Sequence, residues 1–141
     1  MAKMNLESTL LKALEEVALP GPFHIKINPK GGSSRISERD FYGAIFVQLS
    51  VRSKKETPER DADCSYLDFI YDSAQDRLET TNLSVIRRQR GRGYGRKLVE
   101  AMEKTGRELG CRTVIIRVNI NHFFWTHMGY EPNEEYWEKT L

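Results

Sequence analysis

The sequence predicts a mixed α/β fold, in which a mostly antiparallel sheet contains a central parallel pair of strands and is flanked by helices. Apolar residues recur at helical spacing over residues 5–18, which predicts a first helix. Alternating and β-branched apolar runs between residues 23 and 86 predict three or four antiparallel strands. A strand, a long amphipathic helix and another strand follow over residues 78–119, and such a crossover makes its two strands parallel.

Each predicted element is bounded by a local signal. The first helix ends at the Leu-Pro-Gly-Pro segment of residues 19–22, and the long helix ends at Gly110. Residues 29–40 are predicted to be a loop, and the highly charged residues 52–63 an exposed connection. In chain order, the predicted elements are a helix over 5–18, strands over 23–28, 41–51, 64–71 and 78–86, a helix over 93–109, a strand over 113–118, a short helix near 121–128 and a strand from Tyr130.

The composition is typical of a soluble globular protein. Of the 141 residues, 39% are apolar and 30% charged, and the formal net charge is +2, which argues against disorder and against a general polyanion binder. The length suits one domain over residues 1–141. No apolar run approaches the roughly 20 residues that cross a bilayer, and no signal-peptide core is visible. Cys64 and Cys111 lie far apart and are expected to be reduced, so we expect a cytoplasmic protein.

The most informative segment is the turn over residues 87–96, between the strand predicted over 78–86 and the long helix. It contains three glycines and five arginines. Glycines let backbone N–H groups approach a ligand, and a helix N-terminus adds unpaired donors and the positive end of its dipole. The turn therefore predicts a phosphate or pyrophosphate site. Two other interpretations stay open: a solvated charged turn, and a contact for nucleic-acid phosphates, against which the near-neutral remainder of the chain argues.

Two common glycine-rich motifs do not fit this turn. A dinucleotide fingerprint requires Gly-x-Gly-x-x-Gly, but its third position is an arginine or a leucine here, depending on the glycine from which it is counted. A P-loop requires four residues between its first glycine and a Gly-Lys pair, which the turn lacks. The pattern that does fit is Arg-x-x-Gly-x-Gly, formed by Arg90, Gly93 and Gly95 after Leu83-Ser84-Val85.

This pattern resembles the GNAT superfamily of acyl-CoA-dependent N-acyltransferases. That family also ends its core with a strand, a short helix and an aromatic pair before a Gly-aromatic dipeptide, and the segment Phe124-Trp125-Thr126-His127-Met128-Gly129-Tyr130 has this form. The resemblance covers roughly residues 64–131. Two motifs in the right order are more specific than either motif alone.

The resemblance implies that the turn and its surroundings bind acetyl-CoA as a co-substrate. Backbone amides of the turn would wrap the pyrophosphate, and the strand before it would lend backbone groups to the pantetheine arm between splayed parallel strands. The amide of Val85 or Ile86 would stabilise charge on the thioester oxygen. The implied cofactor-binding residues are Val85, Ile86, Arg87, Arg90, Gly91, Arg92, Gly93, Tyr94, Gly95, Arg96, Asn121 and Phe124.

Glu79 is the candidate general base. It lies six residues before Val85 on one predicted strand, so the period of two is expected to place both on one face. In the protein-acetylating branch of the resembled family, a catalytic glutamate has this spacing from the equivalent valine. A partly buried carboxyl group there would have a raised pKa, which suits it to accept a proton. The alternative is that Glu79 is a solvated residue near a strand end.

Other candidate groups are less promising. Many members of the resembled family carry a tyrosine general acid where this chain has Trp125, whose indole N–H cannot usefully protonate a thiolate, so an altered or inactive enzyme stays open. Neither cysteine lies near the motif, and we therefore expect no covalent nucleophile. His122 and His127 are five residues apart, the wrong spacing for one helical face, and we expect no metal site.

The sequence therefore predicts an N-acetyltransferase that moves an acetyl group from acetyl-CoA to a primary amine by direct attack in a ternary complex. The alternatives are a module that binds CoA or another phosphate ligand without turnover, and a small nucleic-acid contact domain. The sequence does not identify the acceptor, which is either a small molecule or an amine of a peptide or protein. About a dozen loop-like residues, 29–40, stand where the family usually has two helices, so we expect either a more open cleft or one that is completed by helix 5–18 or by the second subunit of a homodimer.

Overall fold

The structure is a computed structural model that describes residues 6–19, 23–28, 44–52, 64–117 and 121–141. The loop predicted over 29–40 and most of the connection predicted over 52–63 lie outside these residues. The described helices and strands are α1 (Leu6–Glu16), β1 (Phe23–Asn28), β2 (Ala44–Arg52), β3 (Cys64–Asp72), β4 (Arg77–Ser84), α2 (Tyr94–Glu108), β5 (Thr113–Ile116), α3 (His122–His127), β6 (Glu131–Pro132) and β7 (Trp137–Thr140). None of these helices has the length and apolar character needed to cross a membrane.

The described strands form one sheet in the order β1-β2-β3-β4-β5-β7-β6. Every neighbouring pair is antiparallel except β4 and β5, which run parallel, so the predicted fold class is confirmed. The single strand predicted from Tyr130 is in fact two strands. Asn133 Oδ1 accepts the N–H groups of Glu135 and Tyr136, and this turn reverses the chain between β6 and β7.

Both long helices cover the same face of the sheet, which we call the helix face. Leu10 and Leu14 of α1 and Leu98 and Met102 of α2 are fully buried in one core cluster. Burying a side chain of this size contributes about 1.5–3 kcal/mol. α2 packs closely against β4, as the space at Gly106 shows: a Cβ there would lie only 2.8 Å from Leu78 Cδ1. The helix is therefore held along the strand that leads into the glycine turn.

A β-bulge in β4 changes which of its residues share a face. Leu67 and Phe69 of β3 belong to the core and pair with Leu83 and Thr80 of β4. These two β4 residues therefore both lie on the helix face, although three positions separate them. Thr81 is the inserted residue that no β3 residue opposes.

The bulge overturns one expectation about the candidate base. Glu79 pairs with Ile70 on the face away from the helices, which we call the open face. Val85 lies on the helix face, where its Cγ2 is 3.4 Å from the position that a Cβ of residue 95 would take. The prediction that Glu79 and Val85 share a face is wrong, because a period of two does not continue through an inserted residue.

β4 also ends earlier than predicted, at Ser84 rather than at Ile86. The Ile86 N–H donates to Ser65 Oγ at 3.0 Å instead of joining a strand ladder. The Gln89 N–H then donates to Ile86 O at 2.9 Å, within a single 3-10 turn over Arg87–Gln89. The chain thereby leaves the sheet and enters the glycine turn.

Candidate active site

The candidate site is a cleft at the point where the parallel strands separate. Their pairing ends with Thr80 opposite Ile116, and the remainder of β4 has no described partner on that side. The two strands therefore splay apart, as the resemblance implied. The cleft has a volume of about 670 Å³. Its walls are residues 80–84 of β4, Val85 after that strand, Gln89, Arg90, Gly91 and Gly93 of the turn, Tyr94, Gly95 and Arg96 of α2, Ile116 of β5, and Asn121, Phe124 and Trp125 near α3.

Backbone conformation shapes the glycine turn. Gly91 and Gly93 have φ values of 76° and 80°, in the region that residues with a Cβ rarely adopt. Gly93 is the N-cap of α2, and no side chain caps the helix there. The first hydrogen bond of α2 runs from Lys97 N–H to Gly93 O at 2.9 Å, so the N–H groups of its first turn have no partner within the helix. These donors and the positive end of the helix dipole suit an anion.

The arginines of the turn differ in their surroundings. Arg90 is exposed, and its Nε donates to Val85 O at 2.8 Å, which ties the turn to the end of β4. Arg96 is exposed on the first turn of α2 and lines the cleft. Arg87 and Arg92 are exposed outside the cleft wall. The charge that faces the cleft therefore comes from two of the predicted arginines.

A buried polar network that was not predicted from the sequence fixes this turn. Ser65 Oγ accepts the Ile86 N–H and donates to Gln89 Oε1, and Ser65 and Gln89 are both buried. Ser65 lies on the same face of β3 as Leu67 and Phe69, because alternate residues of a strand share a face. It is therefore a small polar residue on a core face. Because buried polar groups are almost always hydrogen-bonded, that pattern is the signal that could have revealed a partner. The Ile86 amide is thus engaged, and Val85 remains as the candidate oxyanion donor.

The wall opposite β4 is aromatic. Asn121 Oδ1 accepts the Phe124 N–H at 3.0 Å and caps the start of α3. The Phe124 ring packs edge-on against Trp125 at 4.9 Å between centroids. Phe124 Cε1 would lie 3.5 Å from a Cβ at residue 95, so a side chain at Gly95 would press on this wall. Trp125 is only 5% exposed, which makes it mainly a packing residue.

A second buried network, also not predicted, holds that wall in place. Tyr130 OH donates to Glu103 Oε2 at 2.8 Å, and Lys139 Nζ donates to the same carboxylate at 3.1 and 3.2 Å. Lys139 Nζ also donates to Met128 O at 2.8 Å. Burial and then the Glu103 charge raise the pKa of Tyr130 well above its usual value, so this hydroxyl stays a neutral donor. The network joins α2 to the segment after α3 and to β7.

Glu79 lies at the base of the splay, one residue before the cleft wall begins. It is half-buried on the open face, and its Oε2 accepts a hydrogen bond from Arg117 Nε at 3.2 Å. Arg117 also stacks over the Tyr136 ring at 5.4 Å from its centroid. The candidate base is thus close to the cleft but already has a cationic partner.

The structure brings most of the predicted cofactor-binding residues together. Ile86, Arg87 and Arg92 do not line the cleft. The predicted residues that line it are Val85, Arg90, Gly91, Gly93, Tyr94, Gly95, Arg96, Asn121 and Phe124. Cys111 is buried before β5, at the strand end away from the cleft, and burial raises the pKa of its thiol to about 12, which is the opposite of an activated nucleophile. Among the described residues, no group of three histidine, cysteine or acidic side chains is arranged to hold a metal ion.

The cleft lies between splayed parallel strands, beside the N-terminus of a helix that follows a glycine turn. This arrangement is typical of a class of proteins that share one ligand-binding architecture. The model of the acetyltransferase (GNAT) family matches residues 59–130, and the chain belongs to this family. An uncharacterized N-acetyltransferase of Shouchella clausii is 31% identical over 99 residues. The match covers 68% of this chain and 53% of that protein, so the chain spans about half the length of this relative.

Solved structures share the fold. An acetyltransferase from Bacillus cereus superposes with a TM-score of 0.53 and 20% identity, over 77% of this chain and 81% of that chain. An aminoglycoside 6'-N-acetyltransferase complexed with coenzyme A has a TM-score of 0.51 and 15% identity, over 78% of this chain and 81% of that chain. At these identities the likeness shows a common architecture.

Proposed function

We propose that this protein is an acetyl-CoA-dependent N-acetyltransferase that transfers the acetyl group to a primary amine by direct attack in a ternary complex. The observation that carries this proposal is the cleft at the open end of β4 and β5, bordered by the glycine turn. Family membership supports the same activity. The coenzyme A in the aminoglycoside acetyltransferase of the same fold supports acetyl-CoA as the co-substrate.

The glycine turn is the proposed pyrophosphate site. A Cβ at Gly91 would meet no atom within 4 Å, so the turn is open on that side, and its positive φ keeps side chains out of that space. The N–H groups at the start of α2, which have no partner within the helix, supply donors, and Arg90 and Arg96 supply charge. These features fit a diphosphate better than they fit a cation or an apolar group.

The edge of β4 beyond Thr80, which has no partner strand among the described residues, is the proposed contact for the pantetheine arm. Residues 81–84 offer backbone groups toward the cleft in the way that a sheet edge offers them to an added strand. The Val85 amide is the proposed donor to the thioester oxygen, and one such donor typically contributes about 3 kcal/mol to transition-state stabilisation. This role falls to Val85 because Ser65 already accepts the Ile86 amide.

The proposed reaction needs a neutral amine and a proton for the leaving thiolate. Glu79 is the proposed general base, acting on the amine directly or through one water at the base of the splay. The amine nitrogen then forms a bond to the acetyl carbon, and the C–S bond breaks. The proton that the nitrogen loses is transferred to the leaving thiolate. Trp125 takes no part in proton transfer, since it is buried and has only an N–H donor.

Release of free thiol from acetyl-CoA, measured with a panel of primary amines, tests the proposal. Glu79→Gln is expected to lower kcat at least 100-fold and to leave the dissociation constant of CoA within twofold. Glu131→Gln, which removes an exposed carboxylate outside the cleft, is the matched control and should retain activity. Binding of CoA without thiol release by any amine would instead support the module without turnover, an alternative that Trp125 in the usual tyrosine position favours.

Arg90→Ala tests the pyrophosphate site separately. The change removes a cleft-lining charge and the hydrogen bond to Val85 O, so we expect CoA to bind about tenfold more weakly in calorimetry. Arg112→Ala removes an exposed arginine at the other end of the molecule and should leave the affinity unchanged. Undiminished affinity in the Arg90 variant would count against the assignment of the turn.

A further inference from the structure

An ion pair lies on the open face of the sheet at the base of the splay. The ladder between β4 and β5 ends at Thr80 and Ile116, which both line the cleft. Glu79 comes directly before the first of these residues, and Arg117 comes directly after the second. Glu79 Oε2 accepts a hydrogen bond from Arg117 Nε at 3.2 Å. The proposed chemistry uses Glu79 as a base, but it gives Arg117 no role.

Both members of this pair are in contact with solvent, so a ligand can reach them. The side chain of Arg117 is 45% exposed, and that of Glu79 is 21% exposed. An exposed ion pair contributes at most about 1 kcal/mol to stability, so a ligand can join or replace it with little loss of free energy. The pair is therefore accessible from the open face, next to the point where the strands separate.

Arg117 is held in place while its outer nitrogens stay unused. Glu79 engages Nε, and the guanidinium group lies over the Tyr136 ring at 5.4 Å from the ring centroid, a cation–π contact. Within the described ranges, neither Nη atom has a hydrogen-bond acceptor. Glu138 on the neighbouring strand β7 instead accepts a hydrogen bond from Asn133 Nδ2 at 3.0 Å. The two Nη groups form the fork that binds a carboxylate through two parallel hydrogen bonds.

Glu79 also keeps one oxygen unused. Arg117 contacts Oε2, and no described residue donates a hydrogen bond to Oε1. The enclosed side-chain atoms that lack a partner in the described part of the chain are Asp68 Oδ1 and Arg77 Nε, so Glu79 Oε1 is open to solvent. A carboxylate oxygen of this kind suits an ammonium group, which has three N–H donors.

The ion pair therefore presents opposite charges side by side, each with unused hydrogen-bonding capacity. A ligand that satisfies both must carry an ammonium group for Glu79 and a carboxylate for Arg117. Because the two side chains touch at 3.2 Å, the two charges of the ligand must also lie close together. A simple alkylamine would leave the Arg117 fork empty.

We propose that Arg117 is a specificity residue that binds a carboxylate of the acceptor, while Glu79 faces the primary amine of the same molecule. The acceptor is then a zwitterion whose carboxylate is attached to the carbon that bears the amine or to the next carbon. This chemistry has two sources, a free amino acid and the acidic first residue of a peptide. The assignment rests on the proposed function, since it describes the acceptor of that reaction.

The test is an NMR titration of ¹⁵N-labelled protein with two matched pairs of probes. L-Alanine and L-alaninamide differ in the α-carboxylate, and the amidated dipeptides Asp-Ala and Asn-Ala differ in the carboxylate of the first side chain. In at least one pair, the acid is expected to shift the Arg117 Nε–H signal about tenfold more than its neutral counterpart at equal concentration.

The two pairs also distinguish the sources of the carboxylate. An excess in the first pair supports a free amino acid as the acceptor, and an excess in the second supports an acidic peptide N-terminus. The proposal is overturned if neither acid exceeds its neutral counterpart. The titration needs neither CoA nor turnover, so failure of the proposed function would be visible separately, in thiol release and in CoA binding.

Arg117→Gln separates binding of the carboxylate from positioning of Glu79. We expect this variant to bind the acid of the responding pair about tenfold more weakly and the neutral counterpart within about twofold of wild type. Arg112→Gln removes an exposed arginine directly before β5, at the strand end away from the cleft, and should bind both probes like the wild type. Equal losses for both probes in Arg117→Gln would contradict the proposal. If that variant does not fold, the paired probes on the wild-type protein still decide.

Discussion

The buried carboxylate of Glu103 gives a prediction whose size follows from the structure. Its side chain is 4% exposed and is compensated by Lys139 at 3.1 Å and by the Tyr130 hydroxyl at 2.8 Å. Lys139→Met keeps the length of the side chain and removes the cation. Breaking a buried ion pair by removing one partner typically costs about 3–5 kcal/mol. We expect the lower end, about 3 kcal/mol, because Lys139 keeps 24% exposure and the Tyr130 hydrogen bond survives.

The double variant Glu103→Gln with Lys139→Met separates an unpaired charge from a loss of packing. Glutamine can still accept the Tyr130 hydrogen bond, and no uncompensated charge then remains. Replacing both members of a buried pair by neutral groups is often close to neutral in stability. We therefore expect the double variant to lie within about 1 kcal/mol of the wild type, which corresponds to a coupling energy of about 2 kcal/mol or more.

Urea unfolding followed by tryptophan fluorescence measures these differences, with one slope fitted to all variants. Lys104→Met is the control, since its contact with Glu16 at 3.9 Å joins side chains that are 43% and 49% exposed. Such surface pairs contribute at most about 1 kcal/mol. The reasoning would be refuted if Lys139→Met lowered the free energy of unfolding by less than about 1 kcal/mol. It would also be refuted if the loss in the double variant equalled the sum of the losses in the two single variants.

Three further predictions concern the turn, the cleft and the core. Ser65→Ala leaves the Ile86 N–H without its buried acceptor, so we expect a loss of about 1–3 kcal/mol in urea unfolding and weaker CoA binding in calorimetry; unchanged values in both would exclude a role for this network. Gly95→Ala places a Cβ 3.4 Å from Val85 Cγ2, and we expect a several-fold higher KM for acetyl-CoA with stability changed by less than about 1 kcal/mol. Burial raises the pKa of Cys111 from 9.0 to about 12, so its thiol stays protonated in the folded state while the unfolded chain ionises. This stabilisation is complete below pH 9 and is lost as pH rises toward 12, at roughly 1.4 kcal/mol per pH unit; unfolding free energies of wild type and Cys111→Ala that run parallel from pH 8 to 11 would contradict it.

The elements that could be predicted from sequence are those with local causes. The helical spacing of α1, the alternation of β1 and β3 and the glycine-rich start of α2 each depend on residues within one or two turns of the chain. The splay of β4 from β5 and the aromatic wall around Phe124 were expected from the family resemblance, because two motifs identified it. Most of the residues that line the cleft belong to those same two motifs.

The features that could not be predicted depend on contacts between distant segments. The bulge at Thr81 arises from the register between β3 and β4, and no local signal marks an inserted residue in a run of polar side chains. The partners of Ser65 and of Glu103 lie more than 20 residues away along the chain. The exact side of β4 on which each candidate residue lies is likewise a property of strand pairing.

By itself, the sequence determined the order of most elements, the location of the glycine turn and the family, because backbone propensities and motifs act over short distances. Tertiary structure alone decided that Glu79 faces away from Val85 and that the Ile86 amide is already engaged. It also decided that Ser65, Ile86 and Gln89 meet in one buried hydrogen-bond network. The physical reason is that strand register and burial set which polar groups meet a partner, and both exist only once separate parts of the chain have packed together.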